Sequence, residues 1–303
     1  MLRPDPALAF GCMQFGTTAD ADASAALFDA CLAAGIRHFD TAHVYGGGES
    51  ERILGRLARG RDGLCIATKI GYSGGAGRAN LLAQFDESRR RLGRDRVDLL
   101  YLHRPDPSVP LEDVVETLAG LQAGGQVRAL GLSNMAAWQV MKAQAIAARL
   151  GTRIAAIQPM YSLVKRQAEV ELLPMAADQG MVAFTYSPLG AGLLSGKYAA
   201  GGSGRLSEDP RYAARYAPPA MAAAAQGLAA LAAELGLPPA TLAVAWVMAH
   251  PARPVPLISA RNCEQLAPSL AALHLAPDPG LYARIAALSP APPPATDRLE
   301  EAP

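Results

Sequence analysis

Short β-type runs and longer helical stretches alternate along almost the whole chain, and no other feature narrows the possible folds as far. Runs with strand character fall at 8–11, 37–40, 64–69, 98–103, 128–132, 154–158, 181–186 and 255–259. Helical patterns fill the gaps at 23–34, 49–58, 81–92, 111–123, 136–150 and 167–179, and two more follow at 220–235 and 239–249. Glycines near the helix stops, at Gly35, Gly60, Gly124, Gly151 and Gly180, mark where each helix ends. Eight strands with intervening helices predict a parallel (β/α)8 barrel. The rival is a doubly wound open sheet, which usually carries a G-x-G-x-x-G loop after its first strand. Here that loop runs from Gly11 through Cys12 and Met13 to Gly16 and lacks the pattern. A barrel commonly takes about 250 residues as one domain, and 303 residues, half of them hydrophobic, are ample for its core.

No composition break marks a second domain, so residues 1–288 are read as one barrel. The Pro-rich stretch 289–303 is read as a flexible tail. The segment after Tyr186 is the longest without a clear period, about thirty residues, and such loops usually carry function. With two helices following in succession, one of them is expected to pack outside the regular barrel. A net charge of +1 gives no basic face for nucleic acid or an anionic membrane. Cys12, Cys31, Cys65 and Cys263 are far apart, with no C-x-x-C and no metal-ligand spacing, which reads as reduced thiols in a cytoplasmic protein. No long apolar stretch opens the chain, and none reaches about 18 residues free of charge and proline.

Four polar residues stand at or just past successive strand ends: Asp40, Tyr45, Lys69 and His103. Each alone has an ordinary explanation: a strand-end carboxylate, a packing tyrosine, a solvated lysine, a hydrogen-bonded histidine. Together at one end of a barrel they suit proton delivery to a carbonyl. A phenol with a pKa near 10 is a weak acid at neutral pH, and a neighbouring ammonium lowers that value.

The chain resembles the aldo-keto reductase superfamily over about 8–270. The resemblance is carried by Phe39-Asp-Thr-Ala-His-Val-Tyr-Gly46 with Glu49-Ser-Glu51, by Lys69, and by Asp98-Leu-Leu-Tyr-Leu-His103. Gly131-Leu-Ser-Asn134, Gln158-Pro-Met-Tyr161 and the run from Tyr186 to Lys197 complete it. It implies a (β/α)8 TIM barrel and NADPH-dependent reduction of a small aldehyde or ketone, with no metal. Tyr45 would be the proton donor, Lys69 would lower its pKa, Asp40 would pair with Lys69, and His103 would orient the carbonyl. Ser133, Asn134 and Gln158 would bind the nicotinamide carboxamide, and Tyr186 would stack beneath the ring. Ser187, Pro188, Leu189, Gly190 and Gly192 would wrap the pyrophosphate, with Lys197 and Arg205 as cationic partners. Cys12 and Met13 either touch the nicotinamide ribose or only pack their loop.

At the adenosine end, Ser259, Arg261 and Gln265 resemble the last-strand motif, with Arg261 placed for a 2′-phosphate. Ser259 stands where many members have glycine, and Pro268 and Ser269 stand where they have Glu and Asn. Pro268 also removes a backbone donor from its helix. An alternative within the resemblance is a cofactor-sensing regulatory subunit like the potassium-channel β subunits. Further expectations concern supporting residues. Ser133 and Asn134 suit an N-cap for the helix near Ala136. Arg89, Arg90, Arg91, Arg94 and Arg96 read as a solvated helix end. Trp138 and Trp246 read as packing residues. His43, Gly71, Tyr72, Arg104, Met160 and Tyr161 are placed as pocket wall.

Overall fold

The computed structural model describes residues 2–199, 201–298 and 300. Its eight strands are β1 (Ala9–Gly11), β2 (His38–Asp40), β3 (Cys65–Ile70), β4 (Val97–Leu102), β5 (Val127–Ser133), β6 (Ile154–Gln158), β7 (Val182–Tyr186) and β8 (Val255–Ile258). They pair in sequence order, all parallel, and β8 returns to β1 to close the barrel. Closure leaves no exposed sheet edge. Helices α1 (Ala21–Ala33), α2 (Glu49–Leu57), α3 (Arg78–Leu92), α4 (Leu111–Ala123), α5 (Ala137–Arg149) and α6 (Leu172–Asp178) connect the first seven strands.

Between β7 and β8 lie α7 (Arg205–Glu208), α8 (Pro210–Arg215), α9 (Pro219–Leu235) and α10 (Pro239–Met248). Helices α11 (Cys263–Ala271) and α12 (Pro279–Ala286) follow β8. The stretch expected to be irregular after Tyr186 therefore contains a 3₁₀ segment at Gly190–Ser195 and two short helices. Among the described residues no single helix is long and apolar enough to cross a membrane.

Apolar packing forms two layers. Side chains on the outer faces of the strands, such as Phe10, Phe39, Ile66 and Leu100, pack against the helices with Leu27, Phe28, Leu54 and Leu118. Fully burying a side chain of this size contributes roughly 1.5–3 kcal/mol. The alternate residues fill the barrel: Ala9, Ala67, Leu99, Tyr101, Ala156, Phe184, Val255 and Leu257. Strand period two therefore settles which side chains reach the interior.

The expected helix at 167–179 is broken into a 3₁₀ turn at Gln167–Glu169 and α6. Pro174 has no N–H for the carbonyl of Val170, so the helix can start only within one turn of it. Pro268 by contrast lies inside α11, and its carbonyl accepts a hydrogen bond from Thr241 Oγ1 at 2.7 Å. Trp246 is buried and stacks between Tyr161 and Tyr282, with ring centroids 5.3 and 5.7 Å away. Trp138 is not a packing residue: it is 68% exposed on α5. Of the tail, residues 299 and 301–303 lie outside the described residues, while the carbonyl of Ser289 accepts from Arg166 Nη1 at 2.9 Å.

Candidate active site at the C-terminal rim

Alternation within β2 and β3 turns Asp40 and Lys69 into the barrel at its C-terminal end, where both are almost fully buried. They form an ion pair, and the Lys69 ammonium also donates to the carbonyl of Thr41 at 2.8 Å. Gln158, at the end of β6, donates its side-chain amide to the second Asp40 oxygen at 2.8 Å. Burying a charged pair stabilises only when the remaining donors and acceptors are also satisfied. These contacts meet that condition and hold the carboxylate rigidly.

Tyr45 lies one turn beyond β2 in a loop tied to β3 by the His43 N–H bond to the Lys69 carbonyl at 2.9 Å. Its hydroxyl is 3.5 Å from Lys69 Nζ. The phenol nonetheless sits above its ordinary pKa: burial raises it, and the Lys69 charge offsets only part of that rise. Lys69 does lower the pKa of the phenol, but burial outweighs that effect and the net shift is upward. Lys69 itself is held above its usual value, because Asp40 and Tyr45 outweigh the opposing effect of burial. The amine stays charged at neutral pH.

His103 follows β4 directly and packs edge-on against Tyr45, with ring centroids 5.8 Å apart. Burial, reinforced by Lys69 and Arg104, pushes its pKa down to about 3. The imidazole is therefore neutral and carries one N–H. Four candidates separated by up to 63 positions in sequence thus meet at the C-terminal end of the barrel. The phenol of Tyr45 is common to both contacts, 3.5 Å from the Lys69 ammonium and edge-on to the neutral imidazole.

Ser133, Asn134, Gln158 and Tyr186 also gather here. Asn134 takes a left-handed backbone conformation (φ 58°) and donates to the His103 carbonyl at 2.9 Å. Its side-chain oxygen accepts from Tyr186 OH at 2.7 Å, and Ser133 Oγ donates to the Gln158 carbonyl at 3.0 Å. These bonds replace the expected helix cap. Helix α5 starts at an Ala136 N-cap whose N–H goes to Gln139 instead.

The rim beyond β7 suits an extended molecule with phosphates. Ser187, Gly190, Ala191 and Gly192 all have positive φ, so the backbone curls back sharply there. Pro188 is buried and Leu189 half-buried beneath this curl. Lys197 and Arg205 are half-buried, and among the described residues neither is ion-paired; each ammonium or guanidinium lies over a tyrosine ring instead. The Gly204 backbone leaves the space that Lys197 Nζ occupies, which any Cβ there would invade. Just past β8 the Ser259 hydroxyl is buried and has no hydrogen-bond partner among the described residues. Two unpaired cations and an orphaned hydroxyl fit the phosphates of a dinucleotide. Arg261 is paired with Glu208 of α7 at 2.8 Å, and Gln265 accepts from the Arg261 N–H at 3.3 Å. In the first βα loop, Cys12 is fully buried with its carbonyl accepting from Ser50, while Met13 is half-exposed at the rim.

Among the proposed wall residues, Tyr72 packs at a tilt against His103, with ring centroids 4.8 Å apart, and carries the Arg104 guanidinium 4.6 Å from its ring centroid. Tyr161 does not line the rim. It is fully buried, with its hydroxyl on Glu169. The His43 ring is bonded to Glu87 of α3, the Gly71 N–H goes to Gln84, and Met160 Sδ faces the Tyr216 hydroxyl.

Two supporting residues escaped the sequence reading. Tyr101 lies beneath Lys69, whose ammonium is 5.9 Å from its ring centroid. The space for that ring exists because residue 131 is glycine: a Cβ there would come within 2.5 Å of the ring. Arg91 is the other, for it is not part of a solvated helix end. Its side chain is only 11% exposed and pairs with Glu51 and Glu87.

A (β/α)8 barrel with a buried polar cluster at its C-terminal rim has the build of a barrel enzyme. The chain belongs to the Aldo/keto reductase family, whose profile matches residues 7–290. It is 32% identical over 283 residues to the "Probable voltage-gated potassium channel subunit beta" of Oryza sativa subsp. japonica, covering 87% of this chain and 85% of the rice protein. It is 40% identical over 200 residues to "Aflatoxin B1 aldehyde reductase member 2" of Mus musculus. That match covers 64% of this chain and just over half (54%) of the mouse protein's length. A third relative, "Uncharacterized oxidoreductase YrpG" of Bacillus subtilis (strain 168), is 30% identical over 94% of this chain and 92% of its own.

Proposed function

We propose that the protein is an NADPH-dependent oxidoreductase that reduces an aldehyde or ketone to an alcohol. The observation that carries this reading is the contact of Lys69 with both Asp40 and Tyr45, with the neutral His103 ring against the same phenol. When bound, a nicotinamide cofactor would supply the hydride that the carbonyl carbon accepts. The carbonyl oxygen then gains negative charge, and the protein's own residues answer it. The Tyr45 hydroxyl and a His103 N–H would donate to that oxygen, and Tyr45 would pass on its proton. Lys69 favours the phenolate left behind, which its 3.5 Å distance permits. Asp40 keeps Lys69 charged and aimed, and Gln158 keeps Asp40 in place. Ser133, Asn134, Gln158 and Tyr186 would bind the nicotinamide end of the cofactor, Lys197 and Arg205 its phosphates, and Arg261 its 2′-phosphate.

The test is consumption of NADPH, followed by its absorbance, with a panel of small aldehydes and ketones. Turnover with at least one carbonyl is expected, and no turnover with any of them would defeat the reading. The similarity to the rice protein motivates a second reading, a cofactor-sensing subunit of a membrane complex. Its mark would be tight NADPH binding with negligible turnover, together with stable recovery alongside a membrane partner.

A further inference from the structure

We propose that Arg91, on α3, is the positioning residue that holds the Tyr45 loop against the barrel. The proposal rests on the reading of Tyr45 as proton donor. Three consecutive glycines follow Tyr45, with φ of 56°, 62° and 95°, so the loop has no side chain of its own to lock its exit. The guanidinium of Arg91 enters from a distant helix and supplies the lock. Nη1 donates to the His43 carbonyl at 2.9 Å and to Glu51 at 3.2 Å. Nη2 donates to Glu87 at 2.5 Å, and the other Glu87 oxygen faces the His43 ring nitrogen at 3.0 Å. Residue 43 is thus gripped at both its backbone and its ring, two positions before Tyr45.

The far end of the network is equally fixed. Glu51 is completely buried, and its second oxygen accepts from Thr68 at 2.7 Å, beside Lys69 on β3. One guanidinium therefore joins the loop bearing the phenol to the strand bearing the ammonium. Gly48 is part of the fit, since any Cβ there would collide with the Arg91 guanidinium. A lysine could pair with Glu51, but its single compact ammonium lacks the two separated nitrogens with which the guanidinium reaches His43, Glu51 and Glu87.

The test compares wild type with Arg91→Met, Arg91→Lys and Gly48→Ala in the full chain, using backbone hydrogen exchange, NADPH titration and steady-state kinetics. In Arg91→Met, protection should be lost in 41–51 while β4 to β8 keep theirs. Turnover should fall roughly 10- to 100-fold, with NADPH affinity within about threefold of wild type. Gly48→Ala, which disturbs the same contact from the other side, should show the same localised exchange. Arg91→Lys should recover thermal stability but not turnover, whereas a merely structural residue would recover both together. Unchanged exchange in 41–51, or protection lost evenly around the barrel, would overturn the proposal. So would wild-type turnover in a variant whose loop has loosened. Should Arg91→Met fail to fold, the other two variants carry the same decision. Should wild type itself reduce no carbonyl, that would defeat the reductase reading, and the exchange pattern would still decide the role of Arg91.

Discussion

Replacing Arg261 with alanine separates the two nicotinamide cofactors. The two differ only by a 2′-phosphate, so a residue that reads that group should matter for one and not the other. A charge-assisted hydrogen bond to a phosphate contributes about 1.5–3 kcal/mol. In the free protein, however, the guanidinium is already bonded to Glu208 at 2.8 Å, with the two side chains 29% and 48% exposed. Binding therefore exchanges one anionic partner for another. The exposed pair is weak and screened, so the exchange trims the gain and does not cancel it. A net loss of about 1–2 kcal/mol remains, which corresponds to roughly a 5- to 30-fold weaker Kd for NADPH. NADH affinity should stay within about twofold.

Glu208→Gln makes the complementary test. It removes both the competing carboxylate and its repulsion of the phosphate, so NADPH should bind more tightly. Both variants are read by fluorescence titration of each cofactor at fixed ionic strength, because salt screens this contact. Equal losses for NADPH and NADH in Arg261→Ala would refute the reasoning. A weaker NADPH complex in Glu208→Gln would do the same, by showing that the pair builds the site.

Two further outcomes follow from the buried cluster. Lys69→Met leaves the Asp40 carboxylate buried without its cation, which should cost roughly 3–5 kcal/mol of stability by chemical denaturation. Adding Asp40→Asn should restore much of that stability and none of the activity; recovery of both would show that the pair is only structural. The pH profile of carbonyl reduction should be flat from about pH 5 to about pH 9. His103 is already neutral across that window because its pKa is pushed down to about 3. Tyr45 keeps its proton there because burial holds its pKa above the ordinary phenol value. Activity should then fall at higher pH as the proton donor is lost. An acid limb centred near 6.5 would show a titrating imidazole and contradict the geometry.

The barrel was legible because its signal is local and repeated. A strand needs only four to six residues of pattern, and the closed β1 to β8 order follows from the alternation. Asp40, Lys69 and His103 were legible as polar residues in apolar company at strand ends. What the chain alone did not reveal depends on long-range partners. Arg91 looks like its neighbours Arg89 and Arg90, and only the packing of α3 on α2 buries it against Glu51. Gly131 looks like an ordinary strand glycine until the Tyr101 ring is seen in the space it leaves. Trp138 reads as core by composition, but its position on α5 turns it to solvent. The direction of the Tyr45 pKa was hidden for a related reason: the neighbouring charge is visible in the sequence, and the degree of burial that opposes it is not.

The most direct test of the central claim is the single-turnover rate of hydride transfer in Tyr45→Phe, with NADPH binding measured on the same sample. The ring and its packing against His103 are kept, and only the hydroxyl 3.5 Å from Lys69 is removed. Losing such a donor should slow the chemical step on the order of 10²–10³-fold with cofactor affinity unchanged. A rate close to wild type would mean that the proton comes from elsewhere.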